Sequence, residues 1–211
     1  MISGPDRPRP RRRSCRHPLA GVLLAGVLLL ACAGAPARAA ADGWDLDRLM
    51  TGLSGVRVAE AAFEESRQVA LLHQTLRFSG RLSYRAPDRL EKLTTEPEPA
   101  RVALNGDMLT LAQQGAPTRT IALEEMPQVG ALVGAIRWTL SGDLAALSAA
   151  FVLTLDGDSG GWRLRLVPRE ESVRALVRQV VISGVGVSLR EVSTEEADGD
   201  RDDMTIRPDA P

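Results

Sequence analysis

The sequence predicts a mainly β protein with inserted helices, built on one curved antiparallel sheet, and three observations support this fold class. Side chains alternate between apolar and polar over residues 76–85, with Gly80 as the gap, which is the pattern of a half-buried strand. Pro87 and the dipeptide Asn105-Gly106 supply turns between further short runs of the same kind. After residue 127 the apolar spacing changes from two to three or four, which indicates helices set among the strands.

The first 39 residues are predicted to be a secretion signal. Six arginines between Arg7 and Arg16 precede an uncharged apolar run at residues 19–31. Ala37-Arg38-Ala39 then has small residues at both positions that signal peptidase reads. The run of 13 residues is too short for a stable membrane-spanning helix, which needs about 20 residues. The segment is therefore interpreted as an export signal, and the rest of the chain as a periplasmic protein.

Cys32 allows a second interpretation of the leader, as the signal of a lipoprotein. Leu29-Leu30-Ala31-Cys32 resembles a lipobox, in which the cysteine becomes the lipidated first residue of a membrane-anchored lipoprotein. Otherwise Cys32 is removed with the leader, and the protein is soluble after cleavage near Ala39. In both cases the folded part contains no cysteine, so it has no disulfide and depends on its apolar core.

Removal of the leader makes the chain acidic. The leader holds seven of the 26 basic residues and one of the 27 acidic residues, which leaves 19 basic and 26 acidic residues and a net charge near −7. This argues against nucleic acid and against anionic phospholipid headgroups as electrostatic partners. By length, residues 40–208 form a single domain, followed by a tail at 209–211.

The first predicted helix spans residues 45–53, because its apolar residues recur at helical spacing. These residues are Leu46, Leu49, Met50 and Leu53. Residues 57–71 have a mixed pattern, which we interpret as a long strand at an edge of the sheet. The runs at 89–96, 101–104 and 108–111 continue an antiparallel meander from residues 76–85, and residues 118–123 add a short strand.

An amphipathic helix follows, with Pro127 near its first turn and Gly142 just past its end. Its apolar stripe consists of Val129, Leu132, Val133, Ile136 and Leu140. Gly130 and Gly134 lie within it, and each costs roughly 1 kcal/mol relative to alanine. Asp143 is positioned to cap a second short helix that runs through Ala150. Such a helix either simply packs on the sheet or covers a cavity.

The remaining sequence returns to strands. Residues 151–155 and 162–167 predict a hairpin, and residues 172–177 a helical turn. Residues 180–183 and 185–192 are predicted to pair across Gly184. An acidic turn at 195–203 leads to a closing strand at 204–206, for a total of about eleven strands.

Residues for catalysis or metal binding are scarce. No cysteine lies beyond the leader, and His73 is the only histidine there, so a cysteine nucleophile and a multi-histidine zinc site are both excluded. Asp156-Gly157-Asp158 resembles the start of a calcium loop, but the glutamate that closes an EF-hand is missing. The sequence therefore predicts no enzyme, no metal site and no cofactor. A curved sheet with a leucine- and valine-rich face and a helix across it instead suits an apolar cavity for acyl chains.

Several motifs carry a resemblance to a known family. Residues 63–67, Phe-Glu-Glu-Ser-Arg, are close to a Phe-x-Gln-x-Lys element, and residues 79–90 and 105–107 follow in matching order. Asp198-Gly199-Asp200 before the closing strand matches in position. Over most of residues 44–208 the chain thus resembles the periplasmic lipoprotein-carrier family typified by LolA, particularly its divergent branch.

The resemblance implies an unclosed β-barrel with a helical lid that carries the acyl chains of lipoproteins, or a related lipid, toward the outer membrane. Its partners would be an inner-membrane donor complex and an outer-membrane acceptor, and the protein would act as a monomer. The stripe of residues 129–140 would form the lid. The implied cavity-lining residues are Phe78, Leu82, Tyr84, Leu104, Leu109, Leu111, Phe151 and Leu153.

The sequence departs from the family at the arginine that latches the lid. In the family this arginine directly precedes the proline, whereas here Ala86 holds that place and Arg85 lies one residue earlier. On a regular strand Arg85 would point to the opposite face. Two alternatives share the fold: an outer-membrane acceptor resembling LolB and anchored through Cys32, and a periplasmic signalling module with no cargo.

Overall fold

A computed structural model describes residues 43–209 of the chain. The predicted leader at residues 1–39, including Cys32, and the last two residues of the predicted tail lie outside the described residues. Within the described part, eleven strands form one antiparallel sheet. In chain order the strands are β1 (Val58–Val69), β2 (Gln74–Arg85), β3 (Arg89–Glu96), β4 (Ala100–Asn105), β5 (Met108–Gln113), β6 (Arg119–Ala122), β7 (Phe151–Asp158), β8 (Gly161–Pro168), β9 (Val177–Val185), β10 (Ser188–Glu196) and β11 (Arg201–Pro208).

The sheet runs in the order β6-β5-β4-β3-β2-β1-β11-β10-β9-β8-β7, so its two ends, β6 and β7, do not pair with each other. The predicted fold class, a mainly antiparallel and unclosed sheet with inserted helices, is confirmed. Sequential hairpins build each half of the sheet, and the seam between the halves joins the first strand, β1, to the last, β11.

Four α-helices accompany the sheet in the described residues: α1 (Leu46–Ser54), α2 (Pro127–Ser141), α3 (Leu144–Ala150) and α4 (Glu171–Arg174). Their boundaries follow from local signals. The Asp45 side chain accepts a hydrogen bond from the Arg48 N–H at 2.9 Å, and Asp143 caps α3 in the same way through the Ala146 N–H. Gly142 ends α2 at a φ of 69°, where a residue with a Cβ would be strained.

The prediction of an edge strand at residues 57–71 is wrong in its placement. β1 pairs with β2 on one side and with β11 on the other, so it lies inside the sheet. Its second neighbour, β11, comes from the far end of the chain. Hydrophobic alternation sets which way side chains point, but it does not identify a partner so distant in sequence.

Two predicted turns are shifted. Gly184 lies inside β9 opposite Trp162, and the β9–β10 turn falls at residues 186–187. A Cβ at residue 184 would stand 2.3 Å from Trp162 Cζ2, so the glycine makes room for the indole. At Asn105-Gly106 the two central residues are Gly106 and Asp107, with Gly106 at a φ of 59°, the place where a type II′ turn prefers glycine.

The apolar core consists of two separate clusters on one face of the sheet, which we call the inner face. The larger cluster joins α1, α3 and strands β7–β10, around Leu49, Leu147 and Trp162. The smaller cluster, on β4, β5 and the turn before α2, contains Leu104, Leu109 and Leu123. Helix α2 bridges them, because different residues of its apolar stripe pack against each cluster.

Candidate functional site

The eight residues predicted to line a cavity all point to the inner face, according to the strand register. Four are buried and four are half-buried. The buried ones are Tyr84, Leu104, Leu109 and Phe151; the half-buried ones are Phe78, Leu82, Leu111 and Leu153. Six of them belong to or pack against the two clusters: Leu104, Leu109 and Leu111 the smaller, and Leu82, Phe151 and Leu153 the larger. Their role in binding stays a prediction.

Helix α2 lies on the inner face with its apolar stripe incompletely covered. Val129 and Val133 pack against the smaller cluster, and Leu132, Ile136 and Leu140 against the larger. These five residues are all only half-buried. The fully buried positions are instead Ala135 and Thr139, both 0% exposed, at about 90° around the helix from the centre of the stripe. The helix thus uses small residues for its closest contact and leaves part of its large apolar stripe exposed.

Arg85 is exposed on the face of β2 opposite to the inner-face residue Tyr84, as alternation along the strand predicts. Its role as a latch stays a prediction. An arginine of α2 itself ties the helix to the sheet. Arg137 Nη1 donates to the Gly106 carbonyl oxygen at 2.8 Å and to Asp107 Oδ1 at 2.9 Å. The Leu123 N–H also donates to the Asp107 carbonyl oxygen at 2.9 Å, so the β4–β5 turn holds the start of the helical segment as well.

Four charged residues also lie on the inner face, where the sequence predicts apolar side chains. Arg67 of β1 donates through Nε and Nη2 to Asp202 Oδ2 of β11, at 3.1 and 2.7 Å. The Lys92 ammonium of β3 reaches across β2 to Glu65 Oε2 of β1. Arg67 Nη2 lies 3.6 Å from Glu65 Oε1 and connects the two pairs. We call these four residues the inner-face quartet.

The quartet crosses β2 at Gly80, whose inner face carries no side chain. The Lys92 ammonium lies 5.0 Å from the centre of the Phe63 ring, and Phe63 is the residue opposite Gly80 on β1. A Cβ at residue 80 would come within 1.9 Å of the Leu93 carbonyl oxygen, so this position must be glycine. The gap in the alternation of β2 therefore coincides with the passage of the lysine side chain.

Within the quartet, the carboxyl group of Glu65 is costly to ionise. Burial raises the pKa of the Glu65 carboxyl above its ordinary value, although the ammonium of Lys92 acts in the opposite direction. Among the described residues, Asp202 Oδ1 is buried and has no hydrogen-bond partner, and the same holds for the Tyr84 hydroxyl. Unpaired buried polar atoms are uncommon and cost free energy, so this face is not optimised for stability alone.

One sequence signal points to part of the quartet. Phe63, Glu65 and Arg67 are two residues apart, so they share the face of the buried Phe63. Asp202 falls in the acidic stretch that was predicted as a turn but belongs to β11. Because Asp202 and Asp203 are both acidic, alternation gives no indication of a strand there.

The described residues 43–209 contain no group of three or more histidine, cysteine, aspartate or glutamate side chains placed to hold a metal ion. In the same part of the chain, no helix has the length and apolar character needed to cross a membrane. On the inner face, half-buried apolar residues of α2 and β3–β5 lie beside the charged quartet. An apolar face beside charged side chains suits binding of an amphipathic molecule.

The chain is similar to several solved structures at low sequence identity. No curated protein matches the chain. Among solved structures, the LolA superfamily protein NE2245 from Nitrosomonas europaea is similar at 11% identity, with 77% of this chain and 93% of that one covered and a TM-score of 0.41. MucB in complex with MucA(peri) matches at 12% identity over 79% and 55% of the two chains, with a TM-score of 0.40. A DUF1329 family protein from Desulfovibrio piger ATCC 29098 matches at 9% identity over 79% and 91%, with a TM-score of 0.42.

A family model gives the direct assignment. The model described as "Outer membrane lipoprotein carrier protein LolA-like" matches residues 34–209, which is most of the chain. The match includes all eleven strands and the helices that cover the inner face. The protein therefore belongs to the LolA-like family of outer-membrane lipoprotein carriers.

Proposed function

We propose that this protein is a periplasmic carrier that binds the acyl chains of a lipoprotein, or of a related lipid, between α2 and the inner face of its sheet. The carrier acts by binding and release and has no catalytic role. It receives cargo from an inner-membrane donor complex and delivers it to an outer-membrane acceptor. This proposal extends to the present chain what its family's description says of carriers.

The observation that supports the proposal most is the incomplete cover of the apolar stripe on α2. Its five large residues face two separate clusters and are all left half-buried. A helix that served only to close the core would bury those residues, since each buried methylene contributes about 0.8 kcal/mol. The remaining apolar surface, on the helix and on β3–β5 beneath it, matches what an acyl chain would cover.

Release requires that α2 can leave the sheet at modest cost. The polar ties to the β4–β5 turn described above are those of Arg137, in the C-terminal half of α2, and of the Leu123 N–H, just before the helix begins. Asp107 is 78% exposed, so this ion pair is weak in water. Gly134 lies under the ring of Trp138. It also lowers the stability of α2, because glycine inside a helix is less stable than alanine. These features support a lid whose polar contacts with the β4–β5 turn are weak.

A second candidate function rests on Cys32. If this residue is lipidated, the same domain is an acceptor anchored to the outer membrane and resembling LolB. A cargo-free signalling module is the third reading, and the experiment below would reveal it.

The test is native mass spectrometry of the protein expressed with its own leader and purified gently from the cell envelope. We expect a mass that begins at Ala40, together with a copurified acyl lipid or acylated peptide that solvent extraction releases. A diacylglyceryl mass on Cys32 would assign the acceptor role instead. A clean mass without ligand, combined with no uptake of added acyl lipid, would contradict both cargo roles and leave the signalling module.

A further inference from the structure

Lys92 is the only lysine in the 211-residue chain, which contains 25 arginines. Its side chain is 27% exposed and lies on the inner face rather than on the outer surface. Lysine carries a compact charge with three rotatable donors, whereas arginine presents a flat fork suited to paired carboxylates. The one ammonium side chain of the protein thus lies beside the apolar surface proposed to hold cargo.

Lys92 begins a row of inner-face side chains that crosses four strands. The strand register places Lys92, Val102, Leu111 and Arg119 side by side on β3, β4, β5 and β6. We call these residues the Lys92 row. Neighbouring strands are about 4.8 Å apart, so the two cations are separated by about 14 Å with two aliphatic residues between them. Val102 is 37% exposed and Leu111 is half-buried, which leaves apolar surface open between the charges.

The row lies where the helical cover ends. One step along the strands in one direction are Leu104 and Leu109, which pack under Val129 and Val133 of α2. One step in the other direction the inner face becomes polar, with Gln113 of β5 exposed. An amphipathic molecule lying with its chain under α2 would have its headgroup at this boundary.

In both ion pairs of the quartet, the cationic side chain is more exposed than the carboxylate. The side chain of Glu65 is 2% exposed, against 27% for Lys92, so the carboxylate lies beneath the ammonium. The Arg67–Asp202 pair has the same orientation, at 43% and 17%. Among the described residues the Lys92 ammonium donates only to Glu65, which leaves two of its three N–H groups for a ligand.

We infer that Lys92 binds the anionic headgroup, a phosphate or a carboxylate, of an amphipathic cargo whose apolar chain lies toward Leu104, Leu109 and α2. This inference rests on the proposed carrier function and specifies the chemistry of its cargo. The acidic net charge of the protein does not oppose it, because the bound anion meets the ammonium of Lys92 rather than the distant surface charge. The same net charge keeps the protein from adhering to anionic membranes as a whole.

The single lysine makes the test selective. Reductive methylation with ¹³C-formaldehyde labels Lys92 and the N-terminal amine and retains their positive charges. The mature protein is titrated with dodecyl phosphate, with the neutral dodecyl maltoside and with inorganic phosphate, all below micelle-forming concentrations. Binding is measured by calorimetry, and the position of the Lys92 methyl signal reports contact with the headgroup.

We expect dodecyl phosphate to bind about tenfold more tightly than dodecyl maltoside, and only the former to shift the Lys92 signal. Inorganic phosphate should bind far more weakly than either, because it has no chain. In Lys92→Met the preference for phosphate over maltoside should disappear, and in Lys92→Arg it should largely remain. Arg101→Gln is the matched control, since it also removes one cation but from the outer face of β4, where Arg101 pairs with Glu91.

Glu65→Gln separates this role from a purely structural one. Removing the carboxylate frees the ammonium, so affinity for dodecyl phosphate should rise, whereas loss of a structural ion pair would lower binding in both Glu65→Gln and Lys92→Met. Equal affinity for dodecyl phosphate and dodecyl maltoside would overturn the headgroup inference and leave the carrier function intact. Inorganic phosphate binding as tightly as dodecyl phosphate would overturn the amphiphile assignment. If none of the probes binds, the carrier function itself fails, and this inference fails with it.

Discussion

At the scale of single residues, Glu65 is the most informative, because it is a buried carboxylate on a face predicted to be apolar. Burial of an ion pair costs desolvation free energy that its Coulomb attraction often fails to recover. Such a pair indicates either a specificity role in strand pairing or a role in binding. The pH dependence of stability measures how unfavourable the ionised form is in the folded state.

We predict that Glu65→Gln changes the pH dependence of stability in a defined direction. The folded-state pKa of Glu65 is raised above its ordinary value by burial, so the folded protein binds the proton more tightly than the unfolded chain. The wild type should therefore lose stability relative to Glu65→Gln as pH rises from about 4.5 through the raised pKa. Urea unfolding of both proteins between pH 4 and 8 checks this.

Glu91→Gln is the matched control for Glu65→Gln. Glu91 lies on β3, directly before Lys92. The hydrogen bond from Arg101 lowers the pKa of the Glu91 carboxyl, so its contribution is lost as pH falls, the opposite sign. A wild type that gains stability over Glu65→Gln with rising pH would contradict the burial argument.

A second prediction at this scale concerns Gly184. Its replacement by alanine places a Cβ 2.3 Å from Trp162 Cζ2 and 2.5 Å from the Ser188 carbonyl oxygen. Overpacking in a rigid core should lower the free energy of unfolding by about 2–3 kcal/mol. Gly161→Ala, one residue before the same tryptophan, meets no atom within 4 Å and should change it by less than about 0.5 kcal/mol. Equal effects on urea midpoints would mean that the indole can move away.

At the scale of elements, strands and helices could be predicted because their signals are local. Alternation identifies β2 and β8, and Gly142 and Asp143 mark the adjoining ends of α2 and α3. The rotation of α2 about its own axis could not be predicted. The apolar stripe indicates only which side of the helix is apolar. The contacts of α2 with α1 and α3 decide that Ala135 and Thr139 are the residues that become fully buried.

At the candidate site, the sequence predicted the orientation of the apolar residues. The eight residues predicted to line a cavity all lie on the inner face, because their orientation follows from alternation. The sequence did not predict that Lys92, Glu65 and Arg67 lie on the inner face, because a charged residue on a strand is expected to face the solvent. Which face such a residue occupies depends on strand pairing, which involves residues as far apart as Arg67 and Asp202, 135 positions along the chain.

We predict that Arg137→Met loosens α2 specifically. The substitution removes two hydrogen bonds to the β4–β5 turn, worth together about 1–2 kcal/mol. Amide hydrogen exchange in the turns of α2 around Arg137 should accelerate about tenfold, while exchange in β8 and β9 stays unchanged. Arg169→Met is the control, because Arg169 also donates to backbone carbonyls, those of Ser148 and Phe151, but holds α3 and β7. Uniform acceleration across the protein in Arg137→Met would contradict a local tie.

At the scale of the whole molecule, the seam between β1 and β11 decides whether the two halves form one sheet. β11 pairs with both β1 and β10, and its Ile206 belongs to the larger core cluster. A chain ending at Asp200 should therefore lose cooperative urea unfolding, because β1 and β10 would both lose a partner. A chain ending at Asp209 retains β11 and the Arg81–Asp209 ion pair and should unfold like the full-length protein. A cooperative transition in the shorter chain would show that one half folds alone.

The position of β11 also has a consequence for timing. If the protein is exported from its N-terminus through a narrow channel, as the predicted leader implies, β1 has no second neighbour until residues 201–208 have crossed. The sheet would then be completed only when passage is nearly finished. For the proposed carrier, a sheet completed by its last strand would leave the inner face unfinished while the chain is close to the membrane that it crosses, and so would limit capture of the lipids of that membrane.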